Sequence, residues 1–237
     1  MIQKISFCKN SIIKKNKKDN INTRKLKIMS TDEKTYALGI DEAGRGSVLG
    51  PLVIGGVLMP IDKIRFLERI GVKDSKRLSS KKRSVLSRKI KKISQTYTNI
   101  ITAQEIDNLR LNGTNLNQIE TNAMTDIITR SNPDKCYIDC IDVKEDRFHD
   151  NIQEKYPKIE VITRHKADDI YDIVSAASII AKVERDKQMA ILRREYGDIG
   201  SGYPSDKYTI AYLESLNKDF PPIVRQTWNT VVKMKER

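Results

Sequence analysis

Apolar and polar positions alternate in short blocks along the first patterned stretch of the chain. Over residues 36–59 brief apolar runs are separated by glycine-rich breaks, which predicts two strands joined through a loop at 44–51. Asp62 is placed to cap a short helix ending at Gly71. Ser79 is placed to cap a helix reaching about Ile93, with Val85, Leu86, Ile90 and Ile93 on one face and lysines on the other. Residues 97–103 are rich in β-formers, whereas 117–130 carry Ile119, Ala123 and Ile127 on one helical stripe. Residues 135–143 read as a strand and Val161-Ile162 as another. Ile173, Ala177, Ile180, Val183 and Ala190 then mark one face of a long helix stopped by Gly197. Strands alternating with helices predict an α/β sheet covered by helices, and no internal repeat is visible.

Composition narrows the class. The 237 residues suffice for one large domain or two small ones, and 38% hydrophobic content supports a core. No window approaches the ~20 apolar residues of a membrane span, and the N-terminus lacks the apolar segment of a secretory signal, so no membrane association is expected. Cys8, Cys136 and Cys140 have no paired metal-ligand spacing, and the last two sit in an apolar run that reads as core. A reducing, cytoplasmic compartment is the expectation.

The net charge of +13 invites a nucleic-acid partner, but its distribution tempers that. Residues 1–28 hold nine Lys/Arg against Asp19 alone, so +8 of the +13 belongs to the tail and +5 to the other 209 residues. The tail over 1–34 is too polar to fold alone and reads as disordered. Three readings of it stand: a non-specific nucleic-acid contact, a targeting segment, or an upstream extension if translation starts at Met29.

Chemistry concentrates in Gly39-Ile40-Asp41-Glu42-Ala43-Gly44-Arg45-Gly46, two carboxylates and a Gly-Arg-Gly turn directly after an apolar run. Successive side chains on a strand point to opposite faces, so Asp41 and Glu42 should reach one ion only if the chain leaves the sheet there. Gly44 and Gly46 permit such an exit, and Arg45 is placed for a phosphate. An Asp-Glu pair alone is also what a polar strand end looks like. Asp139 interrupts the apolar strand Cys136–Ile141, where an aspartate needs a partner or a metal unless it lies at a sheet edge. Asp168 follows the next strand. Sites in open α/β sheets gather beyond the carboxyl ends of strands, so Asp41, Glu42, Asp139 and Asp168 are candidates to converge. Four such groups repel one another unless divalent cations neutralise them, and an all-oxygen set favours Mg²⁺ or Mn²⁺ over zinc. Lys76, Lys166 and Lys182 are candidate phosphate contacts, although Lys182 also fits a solvated helix face. Tyr203 stands in the glycine-rich Gly200–Ser205 loop, placed to stack on a sugar or base. His165 reads as structural or as a group just outside the carboxylate site, and Trp228 as a packing anchor rather than a base platform.

Together these motifs resemble ribonuclease HII, in the branch shared by archaeal enzymes and the eukaryotic catalytic subunit. The resemblance rests on residues 39–46, Asp74-Ser75-Lys76, Asn115-Leu116-Asn117 with Glu120-Thr121, and Tyr137-Ile138-Asp139. It continues through His165-Lys166-Ala167-Asp168, residues 174–183, residues 200–206 and residues 221–228. It covers the chain from about residue 36 to the end. It implies a ribonuclease-H-like mixed sheet flanked by helices, with a helical C-terminal extension at about 186–237 of a catalytic domain spanning 35–237. It also implies endonucleolytic cleavage of the RNA strand in RNA/DNA hybrids and at single ribonucleotides in duplex DNA, leaving 5′-phosphate and 3′-hydroxyl ends.

By the same resemblance Asp41, Glu42, Asp139 and Asp168 hold two ions roughly 4 Å apart that share Asp41. Gly44, Arg45 and Gly46 contact the ribose 2′-hydroxyl, and Tyr203 senses the RNA–DNA junction. Two departures are Ser47-Val48 after Gly-Arg-Gly and Asp172 at a helix start, both positions where the family commonly has proline. Competing readings are a non-catalytic nucleic-acid-binding protein, another nuclease on the same fold, and ribonuclease HIII, against which some 35 residues before the core are too few for an extra substrate domain. The compact length fits a self-sufficient monomer.

Overall fold

The computed structural model describes residues 34–73 and 78–236, and from Thr35 onward the chain forms one compact unit. Its centre is a five-stranded mixed sheet: β1 (Tyr36–Ala43), β2 (Leu52–Pro60), β3 (Gln95–Ile101), β4 (Lys135–Asp139) and β5 (Glu160–Arg164), in the order β3-β2-β1-β4-β5. β1, β2 and β3 pair antiparallel, while β4 and β5 join β1 in parallel. Parallel neighbours need crossover connections, which bring helices onto both faces and explain why β1 is apolar on both sides.

The period of two sorts the core into two layers. Leu38, Ile40, Leu52, Ile54, Cys136 and Ile138 point to one face. There they meet Ile106 of α3 (Ala103–Leu111), Ile127 of α4 (Leu116–Ser131) and Phe148 of α5 (Glu145–Lys155). Ala37, Val57 and Met59 point the other way, toward Leu67 of α1 (Arg65–Ile70) and Leu86 and Ile90 of α2 (Ser80–Ile93). α6 (Ala167–Ile170) and the long α7 (Asp172–Tyr196) complete that face. A third cluster joins Val48, Leu49 and Met189 to Leu213 of α8 (Lys207–Ser215), Ile223, Val224 and Val231 of α9 (Asn229–Glu236). It starts within α7, which continues unbroken through residue 186. No helix among the described residues is long and apolar enough to cross a membrane.

The strands and helices fall close to their expected places, with instructive differences. Ser79 caps α2 by accepting from Lys82 N, but Val85 and Ile93 are 41% and 38% exposed, and Ser87 takes the buried place instead. Asp62 caps no helix: it lies in a 3₁₀ turn, Ile61–Lys63, that precedes α1. β4 stops at Asp139 rather than Val143, β3 stops at Ile101, and Ala190 is exposed where Met189 is buried. α3 and α5 are helices that the sequence pattern does not predict: α5 buries only Phe148 and Ile152 in an otherwise polar stretch, and α3 carries no strong apolar period. α3 is instead fixed by a capping box between Thr102 and Glu105 and by Asp107, whose carboxylate accepts from the main-chain N–H groups of Gln226 and Thr227.

α7 lies unusually close to β1 and β2. A Cβ on Gly39 would stand 2.3 Å from Ile173 O, and one on Gly55 would stand 2.5 Å from Ala177 O. With Ala176, Ala177 and Ala181 on the facing side, the helix settles against bare strand backbone. Gly39→Ala is expected to lower stability by about 3 kcal/mol, because neither backbone can yield. Thermal unfolding should show a Tm drop of roughly 8 °C, and an unchanged Tm would mean the helix moves freely on the sheet.

Candidate active site

Asp41 and Asp139 each follow the last pair of the β1–β4 ladder, Ile40 with Ile138, and share the face that α7 covers. Glu42 has the opposite parity, yet single carboxylate oxygens of Asp41, Glu42 and Asp139 all lie within 4.8 Å of one another. The sheet is not abandoned to achieve this, contrary to expectation, because β1 stays paired with β2 as far as Ala43. The convergence comes from β4, which ends at Asp139 and leaves that edge of β1 open for the Glu42 side chain.

The cluster is electrostatically strained. Burial, then the neighbouring Glu42 charge, holds the Asp41 carboxyl well above the usual carboxylate range; a hydrogen bond with Ser178 and the charge of Lys182 act against this. Glu42 is raised for the same reason, burial first, with Asp139 adding to it and Arg45 opposing. Glu42 Oε2 is buried with no hydrogen-bond partner. Three crowded carboxylates, one with an orphaned oxygen, fit a hard divalent cation bound through oxygen. Lys182 donates to Ser178 Oγ at 2.7 Å, and its charge acts on Asp41.

Asp168 is buried in the first turn of α6. It is outside the set of three, but the preceding N–H, that of Ala167, donates to Asp139 Oδ1 at 2.7 Å. Lys166, exposed beside it, adopts a left-handed conformation (φ +55°) that turns the chain from β5 into α6. The main-chain N–H of His165, an exposed residue, donates to Glu145 at 2.5 Å. Lys76 lies outside the described residues.

Arg45 is not held by flexible backbone alone. Its guanidinium pairs with Glu120, whose side chain is 0% exposed, and donates to Asn117 Oδ1 at 2.7 Å, both on α4. The sequence motif containing Asn117 and Glu120 was legible, but their grip on Arg45 was not. An acid on the inward side of α4, beside Ile119, was the available signal. Gly46 is exposed beside Arg45, and Gly44 is at φ +89°. The loop is stitched to the C-terminal part through Val48 N to Gly202 O (2.7 Å), Gly50 N to Ile223 O (2.8 Å) and Arg225 N to Val48 O (2.9 Å). Tyr203 is half-buried at this seam, and Trp228 packs under Arg225 and Arg110 as the anchor foreseen.

Comparison with known proteins decides the family. The family model for ribonuclease HII matches residues 38–231. The chain belongs to the ribonuclease HII family. A ribonuclease HII from Methanosphaera stadtmanae is 64% identical over 204 residues, covering 86% of this chain and 96% of that protein. The crystal structure of ribonuclease H2 from Pyrococcus horikoshii OT3 is similar at TM-score 0.79 and 44% identity, covering 86% of this chain and 98% of that one. The ribonuclease HII of Archaeoglobus fulgidus, solved in a complex with PCNA, is similar at TM-score 0.77 and 38% identity, covering 81% of this chain and 95% of that one.

As a ribonuclease HII the chain is a type 2 ribonuclease H, an endoribonuclease that cleaves the RNA strand of RNA/DNA hybrids, and its fold is the ribonuclease-H-like mixed sheet. The electrostatics of Asp41 and Glu42 then carry a sign. Because the folded-state proton affinity of Asp41 and Glu42 is raised, the metal-free protein binds more protons than its unfolded chain and loses stability as pH rises from the ordinary carboxylate range through the raised values. A cation must displace those protons, so the Tm gain on adding Mn²⁺ should grow from mildly acidic to neutral pH. Asp41→Asn should raise the metal-free Tm and erase most of that gain. A Mn²⁺ increment independent of pH in the unsubstituted protein would remove these carboxylates from the ion.

Proposed function

We propose that residues 35–237 are a catalytic domain in which Asp41, Glu42, Asp139 and Asp168 hold two divalent ions, Mg²⁺ or Mn²⁺. We propose further that the enzyme cuts 5′ to single ribonucleotides embedded in duplex DNA as well as within hybrids, leaving 5′-phosphate and 3′-hydroxyl ends. Its roles are then RNA primer removal and ribonucleotide excision. The observation that carries this reading is the convergence of Asp41, Glu42 and Asp139 within 4.8 Å, beside an arginine fixed by Glu120 and Asn117.

The chain's own residues have distinct tasks. Asp41, steadied by Ser178 and its own following N–H, and Asp139, steadied by Ala167 N–H, are held in place before any ligand arrives. Glu42 brings the unsatisfied oxygen, and Asp168 a fourth carboxylate one residue from the Asp139 contact. When bound, divalent ions supply an acidified water and neutralise charge on the departing oxygen. Because the attacking group is water, no nucleophilic side chain is required. Gly44, Arg45 and Gly46 read the 2′-hydroxyl that separates RNA from DNA, Lys166 and Lys76 contact phosphate, and Tyr203 stacks on the sugar beyond the junction.

The test is cleavage of a labelled DNA duplex carrying one ribonucleotide, with Mg²⁺, with Mn²⁺ and with EDTA. Cutting 5′ to the ribonucleotide that EDTA abolishes is expected. Asp139→Asn should keep the fold and reduce turnover by at least about a hundredfold, and near-normal activity would remove Asp139 from the site. Tyr203→Ala should impair cutting at the lone ribonucleotide more than duplex binding, and unchanged turnover would reject its junction role.

A further inference from the structure

Two arginines are buried behind the loop that carries Arg45, and the chemistry described so far uses neither. Arg185, on α7, donates from Nε to Pro51 O at 3.3 Å and from Nη2 to Leu49 O at 3.5 Å and Ser201 O at 3.2 Å. Its guanidinium carbon lies 4.8 Å from the centre of the Tyr203 ring. Arg225 donates from Nε to Gly50 O and from Nη1 to Arg45 O, both at 3.1 Å. One guanidinium therefore holds the outgoing half of the loop and the tyrosine, and the other holds the main chain of Arg45 itself.

We propose that Arg185 is the positioning residue that seats Tyr203 relative to Gly44, Arg45 and Gly46, and so sets how strictly the enzyme distinguishes a lone ribonucleotide from a continuous hybrid. The inference rests on the reading of Tyr203 as the junction residue.

Three features favour this over a space-filling role. First, the glycines on either side are shaped to Arg185. A Cβ on Gly44 would stand 2.4 Å from its Nε and one on Gly202 3.1 Å from its Nη2, and both glycines have positive φ, +89° and +83°. The two substrate-facing loops thus close on the same planar fork, whose directional donors a lysine lacks. Second, the arrangement is electrostatically costly. Burial, reinforced by the charge of Arg185, pushes the Arg225 guanidinium down to about 9, and burial also lowers Arg185. An apolar side chain would fill the same volume at lower cost, so two adjacent buried cations need a reason beyond packing. Third, Arg185 sits on the same helix as Ser178 and Lys182, so the tyrosine is referenced to the carboxylate cluster through one rigid element.

Arg185→Lys keeps the charge and loses the fork; Arg185→Met keeps the apolar stem and loses both. Each is assayed with Mn²⁺ on a duplex containing one ribonucleotide and on a continuous RNA/DNA hybrid, alongside Tyr203→Ala and the double variant. Arg185→Lys should lower kcat on the single-ribonucleotide duplex about tenfold more than on the hybrid, with KM little changed. Added to Tyr203→Ala it should cost less than about a further twofold, because both changes disable one device. Equal losses on both substrates, or additive losses in the double variant, would overturn the proposal. Should Arg185→Met fail to fold, Arg185→Lys carries the test, and an unaltered Mn²⁺-induced Tm rise in it shows the carboxylates undisturbed. If Tyr203→Ala itself treats both substrates alike, the junction reading falls and this inference with it. If Tyr203→Ala discriminates and Arg185→Lys does not, Arg185 alone is rejected.

Discussion

The close seat of α7 on Gly39 and Gly55 is the constraint from which the rest of the architecture follows. With no side chains between them, helix and strand backbones approach to distances that any Cβ would forbid. That approach lets short groups on the helix touch groups on the sheet. Ser178 reaches Asp41 through a single methylene, without a long side chain having to be ordered at that contact. Conformational entropy is thereby spared at the place where precise geometry matters most.

The same helix carries that reference outward. Ser178, Lys182, Arg185 and Met189 recur at three- and four-residue spacing, so they form one stripe along α7 about 16 Å long at 1.5 Å per residue. The stripe begins at the carboxylates, passes behind Gly44 and Tyr203, and ends in the cluster of Val48, Leu49 and Ile223. The carboxylate cluster and the loops of Gly44 and Tyr203 are in this way placed against one helix. The C-terminal segment completes it, because the main-chain bonds between 48–50 and 202, 223 and 225 tie the loop to α7 from the other side.

Charge is managed by segregation. Carboxylates gather at the ends of β1 and β4, where burial raises the proton affinity of Asp41 and Glu42, while guanidiniums gather behind the adjoining loop, where burial lowers theirs. Arg45 stands between the two groups, pulled toward α4 by Glu120 rather than toward Glu42 alone. Crowded acids on one side and buried guanidiniums on the other thus give the site two poles of opposite charge.

The sequence by itself determined the strands, the long helix and the acids at strand ends, because these depend on periods of two and 3.6 residues and on groups that a core does not tolerate. It also carried the family, through motifs whose order is a property of the chain. It did not determine how Asp41 and Glu42 reach one point, since the answer lies in where β4 stops. Nor did it show that Val85 and Ile93 face outward, that Asn117 and Glu120 hold Arg45, or that Arg185 lies under Tyr203. Those contacts join residues up to 180 positions apart, as Arg225 to Arg45 does. Local pattern is silent on such pairs, because only the packing of helix on sheet decides which side chains become neighbours.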